Sequence, residues 1–573
     1  MKRAALLLGL SMVAGCQGPP LQRADVIFTD VTEEAGLDFV SIGGKRANFV
    51  LDLMGAGAAL LDFDGDGDLD IFAITGSALE GFGGDPSPRN ALFENDGSGH
   101  FRDVAEEVGL GASGWGMGAV AADYDNDGDT DIYLTRWGSN VLYRNEGGRS
   151  FTDVTSEAGV GDLRWGAGAC FFDYDLDGDL DLYVVNYLDF DIEPGEEKSI
   201  PARLGLKMPG LPHEYAAQDN VLYRNEGDGT FTDVTAETGA ADHGGKGLGV
   251  IAFDYDEDGD SDLYIANDTT RNTLLQNQGD GTFLDLGLVS GAGYDAYGAP
   301  EGSMGVAVGD VDGDGIFDLV VTNFSHEGHT LYKNHGDGTF TDVSEKAGLL
   351  PKTLGGVGWG VDLFDYDNDT DLDLFIAQGH LLGDFTMASI RMITPEDYLP
   401  GTMTPRAFGG GHAQKNRLFR NDGSGIFEEV TGISGEALRK KDISRGAVFG
   451  DIDRDGDIDI IVINKNEPAR LLRNDGGNRM GWIQVALEGT HCNRSAIGAR
   501  VTLLAPGGKQ VRGVRSGSSY IGQNSLVAHF GLGRADRVKR VIVQWPCGAI
   551  QEVDDPPIRS RLTILETKVG PPP

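Results

Sequence analysis

Cysteine is scarce in this sequence, with four residues in 573, and no pair of them has zinc-binding spacing. Basic residues are outnumbered about two to one: 46 Lys and Arg stand against 90 Asp and Glu, a net charge of −44. That balance argues against nucleic acid or an anionic membrane surface as a partner. Histidine is sparse and scattered, with ten residues, and no nucleophile motif or phosphate-binding loop stands out. Beyond the first sixteen residues no run is long and apolar enough to span a bilayer. What is plentiful is glycine, 87 residues, which fits many tight turns rather than long helices.

The acidic residues are not spread evenly. A nine-residue pattern, D-x-D-x-D-G-x-x-D or close to it, occurs seven times. The first copy holds Asp62, Asp64, Asp66, Asp68 and Asp70. The next three hold Asp123, Asp125, Asp127, Asp129 and Asp131; Asp173, Asp175, Asp177, Asp179 and Asp181; and Asp254, Asp256, Asp258, Asp260 and Asp262. The fifth has Asp310, Asp312, Asp314 and Asp318, with Ile316 at position 7. The last two hold Asp365, Asp367, Asp369, Asp371 and Asp373, and Asp451, Asp453, Asp455, Asp457 and Asp459. Carboxylates at positions 1, 3, 5 and 9 converge on one cation if the backbone turns sharply at position 6, and position 7 offers its carbonyl. Hard oxygen donors in this spacing predict Ca2+, up to seven ions. A merely solvated acidic surface is hard to reconcile with the electrostatics. Two carboxylates ~5 Å apart repel by ~0.8 kcal/mol even at the dielectric of water. Each loop also leads into buried-strand material such as Leu182-Tyr183-Val184-Val185 or Ile460-Ile461-Val462-Ile463. In the sixth loop Thr370 stands where the turn glycine belongs, which puts that site in doubt.

A longer repeat surrounds each loop. Five residues before its first Asp there is a glycine: Gly57, Gly118, Gly168, Gly249, Gly305, Gly360 or Gly446. After the loop come a strand, a second marker such as Asn220-Val221-Leu222-Tyr223-Arg224-Asn225, a hairpin turn, and Phe231-Thr232-Asp233-Val234 or its equivalent. Each unit thus holds about four short strands in a meander, the blade of a β-propeller. The fold class is all-β: a seven-bladed propeller over residues 26–477, then a small β-rich domain over 478–568 and a tail, 569–573. The seventh unit lacks its Phe-x-Asp-Val element, and an extra copy, Phe28-Thr29-Asp30-Val31, precedes the first loop. It is expected to close the ring as the outer strand of the last blade. Two insertions, near 187–219 and 379–415, follow the second strand of their units and should emerge on one face, where binding functions usually sit. The alternative is that they only cover the hub.

The first sixteen residues read as a targeting segment. Lys2 and Arg3 precede an apolar stretch, and Val13-Ala14-Gly15-Cys16 resembles a bacterial lipoprotein signal with its lipobox. That resemblance implies lipid on Cys16. Gln17 is not the Asp that retains such proteins in an inner membrane, so the anchor points to the outer membrane or cell surface. Cys170 reads as a small buried hydrophobe. Cys492 and Cys547 both lie in the C-terminal region, and an exported chain allows them to pair.

The repeats resemble the FG-GAP/VCBS repeats of the integrin α-subunit propeller. Asn493-Arg494-Ser495-Ala496-Ile497-Gly498, His529-Phe530-Gly531-Leu532-Gly533 and Val543-Gln544-Trp545-Pro546-Cys547-Gly548 resemble the ASPIC/UnbV domain. Together they look like bacterial relatives of the cartilage acidic protein family. This implies a calcium-binding propeller with a C-terminal β domain, and no known reaction. Cys547 stands where the family often has Ser, which with Cys492 motivates the disulfide. Three functions stay open: a surface-anchored, adhesion-like module that recognises an unidentified protein or glycan, a propeller-based lyase or hydrolase, and an assembly scaffold docking through the C-terminal domain. Truncation at about Gly477 is expected to separate the last from the first.

Overall fold

The computed structural model describes residues 26–43, 50–77, 88–111, 114–190, 212–381 and 412–567. Cys16 with its leader, the centres of both insertions (191–211 and 382–411) and the tail lie outside them. Seven four-stranded antiparallel sheets form the ring. Their innermost strands are Ala58–Leu61, Trp115–Ala122, Gly166–Phe172, Gly247–Phe253, Val306–Gly309, Gly358–Phe364 and Ser444–Gly450, which open blades 1 to 7.

The apolar runs after each acidic loop have a direct reason. Alternate residues of a strand point to opposite faces, and in a propeller both faces meet a neighbouring blade. Leu182 and Val184 pack with Val120, Tyr133 and Leu142 of blade 2, whereas Tyr183 and Val185 pack with Val250, Leu263 and Ile265 of blade 4. Seven such inter-blade cores complete the circuit. The ring closes where Ile27–Asp30 pairs antiparallel with Arg470–Asp475, Phe28 opposite Asn474. The repeated glycines mark the hub, where neighbouring inner strands nearly touch. A Cβ on Gly249 would lie 2.4 Å from Met304 O, and one on Gly360 2.4 Å from Ala447 N.

The C-terminal domain is two packed sheets. One joins Ala528–Gly533, Gly481–Glu488 and Arg561–Leu565; the other joins Gly508–Gly513, Arg500–Ala505, Arg540–Gln544 and Ile550–Asp554. Ile483, Val501, Phe530, Val543 and Trp545 fill the space between. Cys492 and Cys547 are disulfide-bonded, and Cys170 is free and buried. In the chain-entropy picture, closing a loop of this length stabilises by about 4 kcal/mol.

This domain is not an appendage. Between Gly508–Gly513 and Ala528–Gly533 the chain leaves the domain and enters the channel of the propeller. The inner strands present unpaired N–H and C=O groups there, which need partners once buried. Ser519 exchanges main-chain hydrogen bonds with Val306 (2.8 and 2.9 Å), and its Oγ donates to Ala447 O (2.7 Å) and accepts from Val361 N (2.9 Å). Gln523 pairs with Ala58 and Leu60 along the main chain, and its amide both donates to and accepts from Ala121 (2.7 and 3.0 Å). Phe171 N donates to Ser516 Oγ (3.3 Å) and Phe449 N to Asn524 Oδ1 (3.1 Å). Six of the seven blades are thereby tied to one segment. At its tip Tyr520, fully buried, meets Trp359 edge-on at 4.8 Å among Trp115, Met117, Trp165 and Met304. Tyr187, Leu188, Phe190, Tyr215 and Leu381, at the described ends of the insertions, cover the same hub.

The plug makes Tyr520 a stability residue. Tyr520→Ala is expected to lower unfolding free energy by about 3–5 kcal/mol, the cost of removing a buried aromatic ring. Its hydroxyl is 3.5 Å from Met54 O, so Tyr520→Phe should cost under about 1 kcal/mol. Denaturant titration of the two variants separates a packed plug from a loosely seated loop.

Candidate metal centres

Each acidic loop connects the first strand of a blade to the second. Its shape depends on two left-handed residues. Position 6 has φ of +88 to +105° at Gly67, Gly128, Gly178, Gly259, Gly315 and Gly456, and position 4 is also left-handed, φ +59° at Leu176 and +62° at Glu257. Thr370 adopts the same position-6 conformation at φ +103°, a strained one for a β-branched residue. Its N–H still reaches Asp365 Oδ2 at 2.9 Å, as Gly128 N reaches Asp123 and Gly178 N reaches Asp173 (2.8 and 3.1 Å). The sixth loop therefore keeps the common fold at a local cost.

The carboxylates converge. Asp62, Asp64 and Asp66 place one oxygen each within 4.8 Å of one another, as do Asp123, Asp125 and Asp127. In the third and fourth loops Asp173, Asp175 and Asp181, and Asp254, Asp256 and Asp262, do the same. Several of these oxygens are buried with no donor: Oδ1 of Asp254, Asp256, Asp367 and Asp453. An unpartnered buried carboxylate oxygen is costly. Burial, reinforced by neighbouring carboxylates, pushes Asp123 up to about 6 and Asp173 and Asp451 up to about 7. A hard cation is the species this donor set fits.

Positions 7 and 9 do more than the spacing foretold. At position 7, Asp68 pairs with Arg454 of blade 7, Asp179 accepts from Asn126 Nδ2 (3.0 Å) and Asp457 from Asn368 Nδ2 (3.0 Å). These side chains join neighbouring blades. At position 9, Asp70, Asp131, Asp181, Asp262, Asp318, Asp373 and Asp459 are all at most 1% exposed. Each accepts two main-chain N–H groups. For Asp181 they come from Tyr174 (3.0 Å) and Asn225 (2.9 Å), and the pattern recurs in every blade, as at Asp459 with Ile452 and Asn474.

That second donor belongs to a residue sequence reasoning left without a role. Asn95, Asn145, Asn225, Asn277, Asn334 and Asn421 end the third strand of blades 1 to 6, and Asn474 is the last residue but one of that strand in blade 7. Asn225 Nδ2 donates to Leu180 O in its own loop (3.0 Å) and to Tyr124 O in the loop of the preceding blade (2.8 Å). The cross-blade bond is present all the way round, from Asn145 to Phe63 O through Asn474 to Tyr366 O, with Asn95 reaching Ile452 O of blade 7. The signal was in the sequence, since an Asn recurs at the end of each marker, but its partner lies in a different repeat.

The C-terminal domain lies over this acidic face. Asp123 N donates to Ser495 Oγ (3.0 Å), Gln484 Nε2 to Asp451 Oδ2 (2.6 Å), Arg500 Nη2 to Glu257 Oε1 (2.8 Å) and Arg561 Nη1 to Gly67 O (2.8 Å). Its basic side chains thus meet the loops of several blades. On the opposite face, His380 N bonds to His412 O (2.9 Å) where the second insertion leaves and returns, and His213 lies in the short turn Pro212–Glu214 of the first.

Asn225→Ala is expected to leave two buried carbonyls unpartnered and to cost about 2 kcal/mol or more, at about 1–3 kcal/mol per orphaned group. Loss of the same size for Asn145→Ala, read by chemical denaturation, tests the belt as a repeated device.

Segments 62–134, 123–184, 215–265, 254–321, 312–376 and 407–462 match the FG-GAP-like repeat family, and residues 489–571 match the ASPIC and UnbV family. Cartilage acidic protein 1 of Homo sapiens is 30% identical over 327 residues, 55% of this chain and 43% of that protein. The Mus musculus protein is 30% identical over 346 residues, 58% and 47%. The chain thus spans under half the length of these relatives. Among solved structures, an Agrocybe aegerita lectin that recognises non-reducing terminal N-acetylglucosamine aligns at TM-score 0.32 and 17% identity, covering 68% of this chain and 83% of that one. BBS1N in complex with ARL6DN aligns at 0.36 and 8%, covering 78% and 96%. Neither is close enough to carry an inference about ligands. With repeats matched across all seven blades and the C-terminal match beyond them, the chain belongs to the FG-GAP-like repeat family and ends in an ASPIC and UnbV domain.

Proposed function

We propose that this protein is a calcium-stabilised recognition module, anchored to the cell surface through Cys16, that binds a protein or glycan on the face bearing its two insertions. The observation that carries the reading is the seating of the C-terminal domain. It covers the acidic face and fills the channel, which leaves the opposite face, where both insertions emerge, for a ligand. Calcium is structural in this reading. Carboxylates at positions 1, 3, 5 and 9 and the position-7 carbonyl hold it, and the buried, donor-less oxygens of Asp254, Asp256, Asp367 and Asp453 support it. Ion binding then fixes the loop that holds the ion, through the position-9 aspartate, to the strand that carries the belt asparagine. The surface anchor rests on the Val13-Ala14-Gly15-Cys16 leader.

The plug also changes what a truncation means. Cutting at Gly477 removes Ser519, Tyr520 and Gln523 from the channel, so it exposes the propeller's own core. The insertions are the informative deletions. The chain from Gln17 onward is expected to retain a ligand from envelope extract or a glycan array, and to lose it when 191–211 or 382–411 is replaced by a short Gly/Ser linker. Turnover of an arrayed glycan points to the lyase or hydrolase reading, and retention by both deletion variants sinks the insertion-face reading. At extracellular-type affinities of ~10⁻⁴ to 10⁻³ M, 10 mM Ca2+ should stabilise by about 1.4–2.7 kcal/mol per occupied loop. A melting temperature that is the same in calcium and in chelator removes the calcium.

A further inference from the structure

The fifth loop departs from the others through a residue outside it. The position before the belt asparagine is Glu94, Arg144, Arg224, Gln276, Lys333, Arg420 and Arg473 in blades 1 to 7. Arg144 and Arg224 turn to the glutamate two residues on, each with Nη2 2.8 Å from Oε1 of Glu146 or Glu226, and Arg473 turns to Asp475 (2.9 Å). Blade 5 has His335 at that place, and no carboxylate draws the cation outward. Lys333 turns into its own loop. Its Nζ is 2.8 Å from Asp312 Oδ1, 2.7 Å from Asp314 Oδ2 and 3.3 Å from Asp318 Oδ1.

Those are the carboxylates of positions 3, 5 and 9. An ammonium group has three N–H donors, and three carboxylate oxygens face them here. A calcium ion needs the same oxygens at 2.3–2.6 Å, the space the nitrogen fills. The charge agrees as well. Five aspartates around one Ca2+ leave a net −3. The fifth loop has four, because Ile316 occupies position 7, and four aspartates around one ammonium also leave −3. We infer that Lys333 is the resident cation of the fifth loop, standing where a metal ion would stand in the others, so that blade 5 is locked without calcium. The inference rests on the calcium reading of the other loops.

Calcium per chain, measured by emission spectroscopy on the full soluble chain after dialysis, tests it through differences. Asp125→Asn, in the second loop, should lower the count by one. Asp312→Asn should leave it unchanged, and Lys333→Met should raise it by one. A fall of one ion in Asp312→Asn overturns the inference while leaving the calcium reading intact, and no gain in Lys333→Met overturns it too. A native chain with no bound calcium removes both. If Lys333→Met does not fold, hydrogen exchange on the native chain decides. Amides of 123–131 and 173–181 should lose protection in chelator while those of 310–318 do not, and calcium-dependent protection of 310–318 overturns the inference.

Discussion

A buried aspartate that must satisfy two backbone N–H groups is the constraint on which this ring depends. Asp181 holds Tyr174 N at the start of its acidic loop and Asn225 N at the end of the third strand. Asn225 then spends its side-chain donors on Leu180 O and, one blade back, on Tyr124 O. The aspartate's two bonds and the asparagine's cross-blade bond recur in every blade and make a closed belt in which each loop is tied to its neighbour. It lies directly beneath the carboxylates of positions 1, 3 and 5. Whatever neutralises those carboxylates also steadies the belt, which is why a charge problem in nine residues becomes a property of the ring.

The second constraint is at the centre. Seven inner strands brought close by glycines leave a ring of main-chain groups with no next strand to pair with. The segment through Ser519 and Gln523 supplies the missing partners from a different domain, and Tyr520 seals the apolar end against Trp359. The C-terminal domain is therefore part of the propeller's core as well as the cover of its acidic face. This ordering of the molecule leaves the face from which the insertions emerge as the one that the C-terminal domain does not cover.

The repeat period, the acidic loops and the displaced Phe28-Thr29-Asp30-Val31 element make the blades, their number and the closure legible in the order of residues alone. These are local patterns, or patterns that repeat, and a repeat reports its own neighbours because every blade meets a copy of itself. The site is legible in part. Positions 1, 3 and 5 converge in the first two loops, and positions 1, 3 and 9 in the third and fourth. The second duty of position 9 and the role of the asparagines stay hidden, since the aspartate meets main-chain groups at two separate points of its own blade and the asparagine a carbonyl of the preceding one, which no spacing pattern encodes.

By itself, then, the sequence determined what repetition and short-range chemistry determine: seven four-stranded units, a carboxylate loop in each, and a distinct β domain after them. Tertiary structure alone decided how those parts meet. Ser516 to Ser525 reads as a polar, glycine-containing loop, and only the ring's unpaired inner edge makes it a plug. Lys333 reads as one more surface cation at a position often held by arginine, and only the direction of its side chain, with His335 standing where blades 2 and 3 have a glutamate, puts it among Asp312, Asp314 and Asp318. In both cases the deciding contact joins residues whose relation is geometric, and no periodicity records it.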